Sequence, residues 1–281
     1  CSDWSGIAVV NNADHPLVSF LIPAKDRAAE LKSALASCLC QSTEHWEAVV
    51  VDDHSSQDDL SKLVEGFNDS RLRYHRQKPA LSGVSDARNT AIDIARSDRL
   101  ITLDSDDINH PHRAARCIDL LEPDQPSLIY TRVCLFSRTQ PSGRPKPILQ
   151  PFSAPLLTMV NFITNPGTAF TRRAVERAGG GFRSDLSLAE DYDLYLRMAR
   201  AGVQIRAVDE VHVSYRKHSK AVTAERSKEL HEAIMTVRRI NGLTPFPLEA
   251  IQDHAIPELN HNLLTRDDQQ ALWRDDRWKP Q

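Results

Sequence analysis

The apolar positions of the chain change their period several times, and each change marks a predicted element. Residues 17–22 and 46–51 are almost continuously apolar, the pattern of strands buried on both faces. Between them Ala28, Leu31, Leu35 and Leu39 recur at helical spacing. Leu60, Leu63, Val64 and Phe67 predict a second helix, residues 72–75 a short strand, 84–95 a third helix and 99–103 a fourth strand. Pro23 is expected to end the first strand. This alternation predicts βαβ units in a parallel sheet. Open sheets of that kind bind ligands outside the carboxyl ends of their strands, so the loops that follow the strands are where chemistry is sought.

Downstream, the pattern predicts a helix near 112–121 and a strand at 128–136. Residues 137–158 carry Pro141, Gly143, Pro145, Pro147, Pro151 and Pro155, which predicts an irregular, mobile excursion. Order resumes with a strand at 167–171, a helix, the Gly179-Gly180-Gly181 turn, a helix at 190–201, and β-like runs at 203–208 and 211–215. From about Thr223 the chain reads as helical and polar, broken by Pro245, Pro247 and Pro257. No internal repeat is visible. The expected organisation is an N-terminal extension over 1–15, an α/β domain over 16–222 and a helical C-terminal extension over 223–281.

Composition narrows the function. With 281 residues, 41% of them hydrophobic, the chain is long enough for one large α/β core. A formal net charge of -3 points to no polyanion partner, so nucleic acid is not expected. The apolar runs fall far short of the ~20 residues that cross a bilayer. No basic stretch leads into an apolar one at the start, so no signal peptide is expected. Five cysteines without a small-scaffold spacing fit a reducing compartment, and the expected location is the cytoplasm, with the inner face of the membrane as a compatible site. Cys38 and Cys40 lie two apart in a helical pattern and read as packing residues.

The polar signals gather at strand ends. The fourth strand runs into Asp104-Ser105-Asp106-Asp107, three carboxylates in one turn, a crowding that a cation would relieve. The same residues would also serve as a turn capping the next helix. Asp52-Asp53-His54-Ser55-Ser56 follows the second strand, where a carboxylate can accept from a base N–H or a ribose hydroxyl, or where the polar residues cap a helix. Gly83 opens a helix carrying Arg88, which can pair with a phosphate or lock an aspartate of the metal turn. Glu190-Asp191-Tyr192-Asp193 begins a helix after the glycine turn, and one of its carboxylates can act as a general base or answer the helix dipole. The last β-like run leads into Tyr215-Arg216-Lys217-His218-Ser219-Lys220, a loop with the charge to close over a diphosphate or to remain a solvated basic surface.

Taken in order, the motifs resemble the family 2 glycosyltransferases, inverting enzymes with the GT-A fold. Those carrying the resemblance are Val18-Ser19-Phe20-Leu21-Ile22-Pro23, Val49-Val50-Val51-Asp52-Asp53-His54-Ser55, Gly83-Val84-Ser85-Asp86-Ala87-Arg88-Asn89, Leu103-Asp104-Ser105-Asp106-Asp107, Glu190-Asp191-Tyr192-Asp193-Leu194 and Tyr215-Arg216-Lys217-His218. The resemblance spans residues 17–223. It implies a Rossmann-like nucleotide-diphospho-sugar transferase fold, α/β, with a mostly parallel central sheet, a nucleotide-sugar half over about 16–136 and an acceptor half over about 159–222. By the same resemblance Pro23 and Asp53 border the nucleobase, Lys25, Arg27, Gly83 and Arg88 belong to the nucleotide pocket, and Asp104 touches ribose or metal. Asp106 ligates Mn²⁺ or Mg²⁺, with His218 as a third ligand, and Arg216 and Lys220 offset diphosphate charge. Asp191 deprotonates the acceptor hydroxyl.

The implied donor is a nucleotide-sugar, UDP being the commonest choice in the family, and the implied acceptor a saccharide or a lipid-linked or protein-linked glycan. Many members carry an aromatic residue or Asn two residues after the first-strand proline, where this chain has Lys25. Without membrane helices a single-addition transferase is expected, with peripheral membrane association compatible. Two other readings stand beside this one. A nucleotidyltransferase would show a glycine-rich loop after the first strand, and residues 23–30 contain no glycine. A non-catalytic sugar-binding domain could keep the fold and lose the activity, which intact Asp104, Asp106 and Asp191 argue against.

Overall fold

The structure, a computed structural model, describes residues 15–137, 144–145, 149–217 and 227–244, with the backbone alone at 144–145 and 227. The expected first-half alternation is present as β1 (Val18–Ala24), α1 (Ala28–Leu39), β2 (Trp46–Asp52), α2 (Leu60–Glu65), β3 (Leu72–Arg76), α3 (Val84–Ile94) and β4 (Arg99–Thr102). There follow β5 (Ile108–Asn109), α4 (Arg113–Leu120), β6 (Ser127–Phe136), β7 (Arg144–Pro145), α5 (Ala154–Met159), β8 (Thr168–Thr171), α6 (Arg172–Arg177), α7 (Glu190–Arg200), β9 (Gln204–Arg216) and α8 (Ser227–Ile240).

One mixed sheet runs β3-β2-β1-β4-β8-β6-β9-β5. The four strands on the β3 side are parallel, whereas β8 is antiparallel to both β4 and β6. β9 is again parallel to β6, and β5 is antiparallel to β9. The chain works outward from β1 through β2 to β3, then returns to the other side of β1 as β4. The switch point therefore lies between β1 and β4, the place where open sheets of this kind bind ligands at the carboxyl ends of their strands.

Why the first strands are almost continuously apolar is visible in how their side chains divide. Val18, Phe20 and Ile22 point into one core with Trp46, Ala48 and Val50, against α1 and α4. Leu21, Val49 and Val51 point into the other, against α3, α6 and α7. The two-residue period of a strand thus feeds two cores, and no polar face is needed. α8 joins the second core through Val237, and Arg238 donates to the carbonyl of Thr158 in α5.

Three expectations need correction. Pro23 does not end β1, which continues to Ala24. Along β1 the carbonyl of Leu21 accepts from Leu103 on the β4 side and that of Ala24 from Asp53 on the β2 side. The Pro23 nitrogen therefore faces β4 beyond the last paired position, Leu21 opposite Thr102, where no ladder donor is required. The two runs at 203–208 and 211–215 are one strand, whose pairing with β6 shifts register at Thr131/Arg132 and Arg132/Val133. Asp209 and Glu210 interrupt the apolar pattern at that irregularity. The proline-rich excursion is only partly irregular, because Ser153 caps α5 by accepting from the Leu156 amide and Pro155 occupies its first turn.

Candidate active site

The loop after β1 is held from both ends. Asp26 sits at a φ of 46° and its Oδ1 accepts from the amides of Ser56 and Gln57, 2.7 Å each. On the far side the Ala28 amide donates to Asp58. The backbone that carries Lys25 and Arg27 is therefore tied to the loop after β2. Lys25 Nζ lies 3.3 Å from Asp53 Oδ2, and the Gly83 amide donates to Asp53 Oδ1 at 3.0 Å. Gly83 has a φ of 96° and a ψ of 167°, a conformation open almost only to glycine, and it presents this amide at the start of α3. Pro23, Lys25, Asp53 and Gly83, all expected at the nucleotide, thus share one corner of the sheet edge.

Across the switch point, the guanidinium of Arg27 donates to Asp106 Oδ2. Arg88 donates through Nη2 to Asp104 Oδ1 at 2.8 Å and through Nη1 to Glu190. Its side chain is 6% exposed and stacks over the Phe182 ring. Desolvation opposes this charge, but the two carboxylates overcome it and hold the guanidinium protonated. Asp107 is buried, with Oδ1 on the Arg216 amide and Oδ2 without a hydrogen-bond partner. Burial and the charges of Asp104 and Asp106 raise its carboxyl well above the usual range. Arg216 also donates from Nε to the Asp106 carbonyl and lies over Phe136, so the end of β9 braces the acidic turn.

Asp191 enters from the second half of the chain. Ala189, at a φ of 58°, turns the backbone into α7, whose first turn carries Glu190, Asp191 and Asp193. These charges face the amide end of the helix dipole. Below them Asp193 is buried and accepts from Arg197 and Asn241, while Arg197 also donates to the carbonyls of Ala178, Gly180 and Gly181. Gly181 passes so close to Asn89 that a Cβ would lie 2.2 Å from its side-chain oxygen. Asn89 in turn bonds both backbone groups of Phe182. The glycine turn is thereby clamped between α3 and α7, which fixes the helix start that carries Asp191.

Asp191 accepts from the Tyr192 amide at 2.7 Å, and Asn161 approaches its other oxygen at 3.4 Å. Burial and the neighbouring Glu190 charge push its carboxyl up to about 7, against the opposing pull of Arg88. Asp104 is close enough to add to that shift. The acidic turn and Asp191 therefore lie near one another, with Arg88 bridging Asp104 and Glu190. His218 and Lys220 lie outside the described residues.

The turn suits a hard divalent ion. It brings two partly exposed carboxylates together, already draws guanidinium groups to both, and adds a third, buried carboxyl raised above the usual range by its burial and by the charges of Asp104 and Asp106. Among the described residues no group of three or more potential ligands assembles, so an ion here would take its further ligands from a bound diphosphate or from elsewhere. In the sequence Glu190 figures only as a member of the acidic helix start, and Asn161 is given no role. Glu190 had a visible signal as the neighbour of Asp191 at an acidic helix start, whereas nothing local marks Asn161.

The sheet thus has acidic turns on both sides of its switch point and the carboxylates of the α7 start opposite them. The family model for glycosyl transferase family 2 matches residues 19–178, and the chain belongs to that family. It is a glycosyltransferase enzyme, with the α/β GT-A fold. It is 30% identical over 194 residues to a chondroitin synthase of Escherichia coli, covering 66% of this chain and 27% of that protein. It is 27% identical over 221 residues to the Escherichia coli enzyme WfgD, a UDP-Glc:alpha-D-GlcNAc-diphosphoundecaprenol beta-1,3-glucosyltransferase, covering 77% of this chain and 83% of that one. The crystal structure of S. aureus TarS 1-349 in complex with UDP-GlcNAc superposes with a TM-score of 0.63 at 18% identity, over 84% of this chain and 69% of that one. Asp191 and Arg216 lie beyond the span matched by the family model. No helix among the described residues is long and apolar enough to cross a membrane.

Proposed function

We propose that the chain moves a sugar from a UDP-sugar to an acceptor hydroxyl with inversion, using Asp191 as the base and a divalent cation at Asp104 and Asp106. The observation that carries this reading is the Arg88 bridge, which joins the acidic turn to the start of α7 and leaves Asp191 beside it with a carboxyl raised to about 7. A carboxyl titrating there is matched to taking a proton near neutral pH. The relatives that act on or bind UDP-sugars support the choice of nucleotide.

In this reading residues 16–136 hold the donor, with the base beside Pro23 and Asp53, and residues 159–222 face the acceptor. Lys25, Arg27 and Arg88 place positive charge around the nucleotide. The bound Mn²⁺ or Mg²⁺ would stabilise negative charge on the departing nucleoside diphosphate. Arg216 acts by holding the Asp106 backbone, and Lys220 and His218 are candidates for the diphosphate and the cation. Asp191 takes the proton of the attacking hydroxyl as that oxygen bonds the anomeric carbon and the bond to the diphosphate oxygen breaks, so one displacement inverts the centre. The acceptor class is a saccharide or a lipid-linked or protein-linked glycan, met in the cytoplasm or at the inner face of the membrane. Nucleic acid is not a partner.

The direct test is a thermal-shift series with UDP, GDP, ADP and CDP, each with and without Mn²⁺. UDP with Mn²⁺ should stabilise the protein most. Stabilisation by none of the four would overturn the nucleotide-sugar reading.

A further inference from the structure

The two oxygens of Asp191 are met by donors from different parts of the chain. Oδ1 accepts from the Tyr192 amide at 2.7 Å, within α7 itself, and Oδ2 accepts from Asn161 Nδ2 at 3.4 Å. A backbone N–H can only donate, so the Ile163 amide, 3.3 Å from the other arm of Asn161, identifies that arm as the carbonyl oxygen and turns the amino group toward Asp191. The stretch that carries Asn161 is anchored to the same helix start. Tyr192 donates from its hydroxyl to the Leu157 carbonyl at 2.9 Å, and Ile163 is buried in the core that α7 also enters. Tyr192 thus gives its amide to Asp191 and its hydroxyl to the neighbourhood of Asn161.

The charged groups around Asp191 pull in opposite directions. Burial disfavours its ionisation, as do Glu190 and Asp104, whereas Arg88 favours it. Burial and then the Asp191 charge raise the hydroxyl of Tyr195, one turn further along α7. Arg238 of α8 approaches the neighbouring Tyr192 and Thr158. Residues 149–165, by contrast, include no Asp, Glu, Lys, Arg or His, so this side of the site meets the carboxylate with a neutral dipole. We propose that Asn161 is a positioning residue for Asp191, its fixed amino group holding Oδ2 so that the carboxylate stays charged and keeps one orientation between two donors. This rests on Asp191 being the base, as in the function proposed above. An N–H on Oδ2 favours the ionised carboxylate, because a proton bound on that side would meet another hydrogen. A carboxylate oxygen has two lone pairs, so Oδ2 keeps one for the proton of an attacking hydroxyl. A further cation in place of the amide would hold the charge too firmly for the group to take up a proton near neutral pH.

The test follows the side-chain carboxyl carbon of Asp191 by nuclear magnetic resonance through a pH titration of carboxyl-labelled protein, with Asp191→Asn assigning the signal. Asn161→Ser keeps an acceptor for the Ile163 amide but is too short to reach Asp191. Its Asp191 midpoint should lie about half a unit above that of the wild type, the modest shift expected from losing one long neutral contact. An unchanged or lower midpoint overturns the positioning role. In the wild type the side-chain amide signal of Asn161 should titrate with the Asp191 midpoint and lose that transition in Asp191→Asn. A flat amide signal also overturns the proposal, and this measurement requires no Asn161 variant to fold. Full turnover by Asp191→Asn would instead remove the base and leave the titration result standing, so the two readings fail separately.

Discussion

Arg88 Nη2 lies 2.8 Å from Asp104 Oδ1, a contact between the first turns of a helix and the acidic turn 16 residues later that spans the carboxyl edge of the sheet. Through its other nitrogen the same guanidinium holds Glu190, from the second half of the chain. One buried cation thus sets the distance between the donor side and the expected base.

Replacing that cation should be costly. Arg88→Met leaves Asp104 and Glu190 facing each other without compensation, and a loss of about 3–5 kcal/mol is expected from removal of one partner in a buried charge network. Urea denaturation at pH 7 measures it. Arg88→Lys keeps the charge but not the two-pronged geometry, and should recover part of the stability and little of the activity.

Asp191→Asn should reduce turnover by roughly a hundredfold or more, the scale of a lost general base. UDP binding measured by calorimetry should stay within about twofold, because the amide keeps the shape of the site. Retained turnover would remove Asp191 from the chemistry.

The raised carboxyl of Asp191 has consequences for both rate and stability. As a base it works deprotonated, so kcat/KM should fall as pH drops below about 7. For stability the sign is reversed. A carboxyl raised in the fold opposes folding once the unfolded chain has ionised, so the penalty is absent below its ordinary value, grows as pH rises toward about 7 and is constant above. Asp191→Asn should therefore raise the melting temperature more at pH 8 than at pH 4, measured by scanning calorimetry at both.

Gly83→Ala tests the backbone of the nucleotide corner. No neighbour lies within 4 Å of a Cβ placed there, so the cost is conformational, about 1–3 kcal/mol for a residue forced to this φ and ψ. The amide that supports Asp53 should shift with it, and UDP affinity should drop along with the denaturation midpoint.

The strands and helices of the first half are legible in the residues alone, because strands buried on two faces are almost continuously apolar and alternate with helical spacing. Asp53, Asp104, Asp106 and Asp191 stand out in the sequence as candidates, since an acidic cluster at a strand end or helix start is written in consecutive residues. The sequence misjudged Pro23, because whether a missing N–H matters depends on which neighbouring strand has already ended. It split β9 at Asp209 and Glu210, because a register shift against β6 belongs to the pair of strands and not to either alone. Only the tertiary structure decided that Arg88 reaches Glu190 over 102 residues, that Arg27 meets Asp106 over 79, and that the end of β9 braces the acidic turn. Local patterns record the burial each residue needs, whereas charge pairs across a crevice depend on how separate elements pack, and no spacing along the chain encodes that.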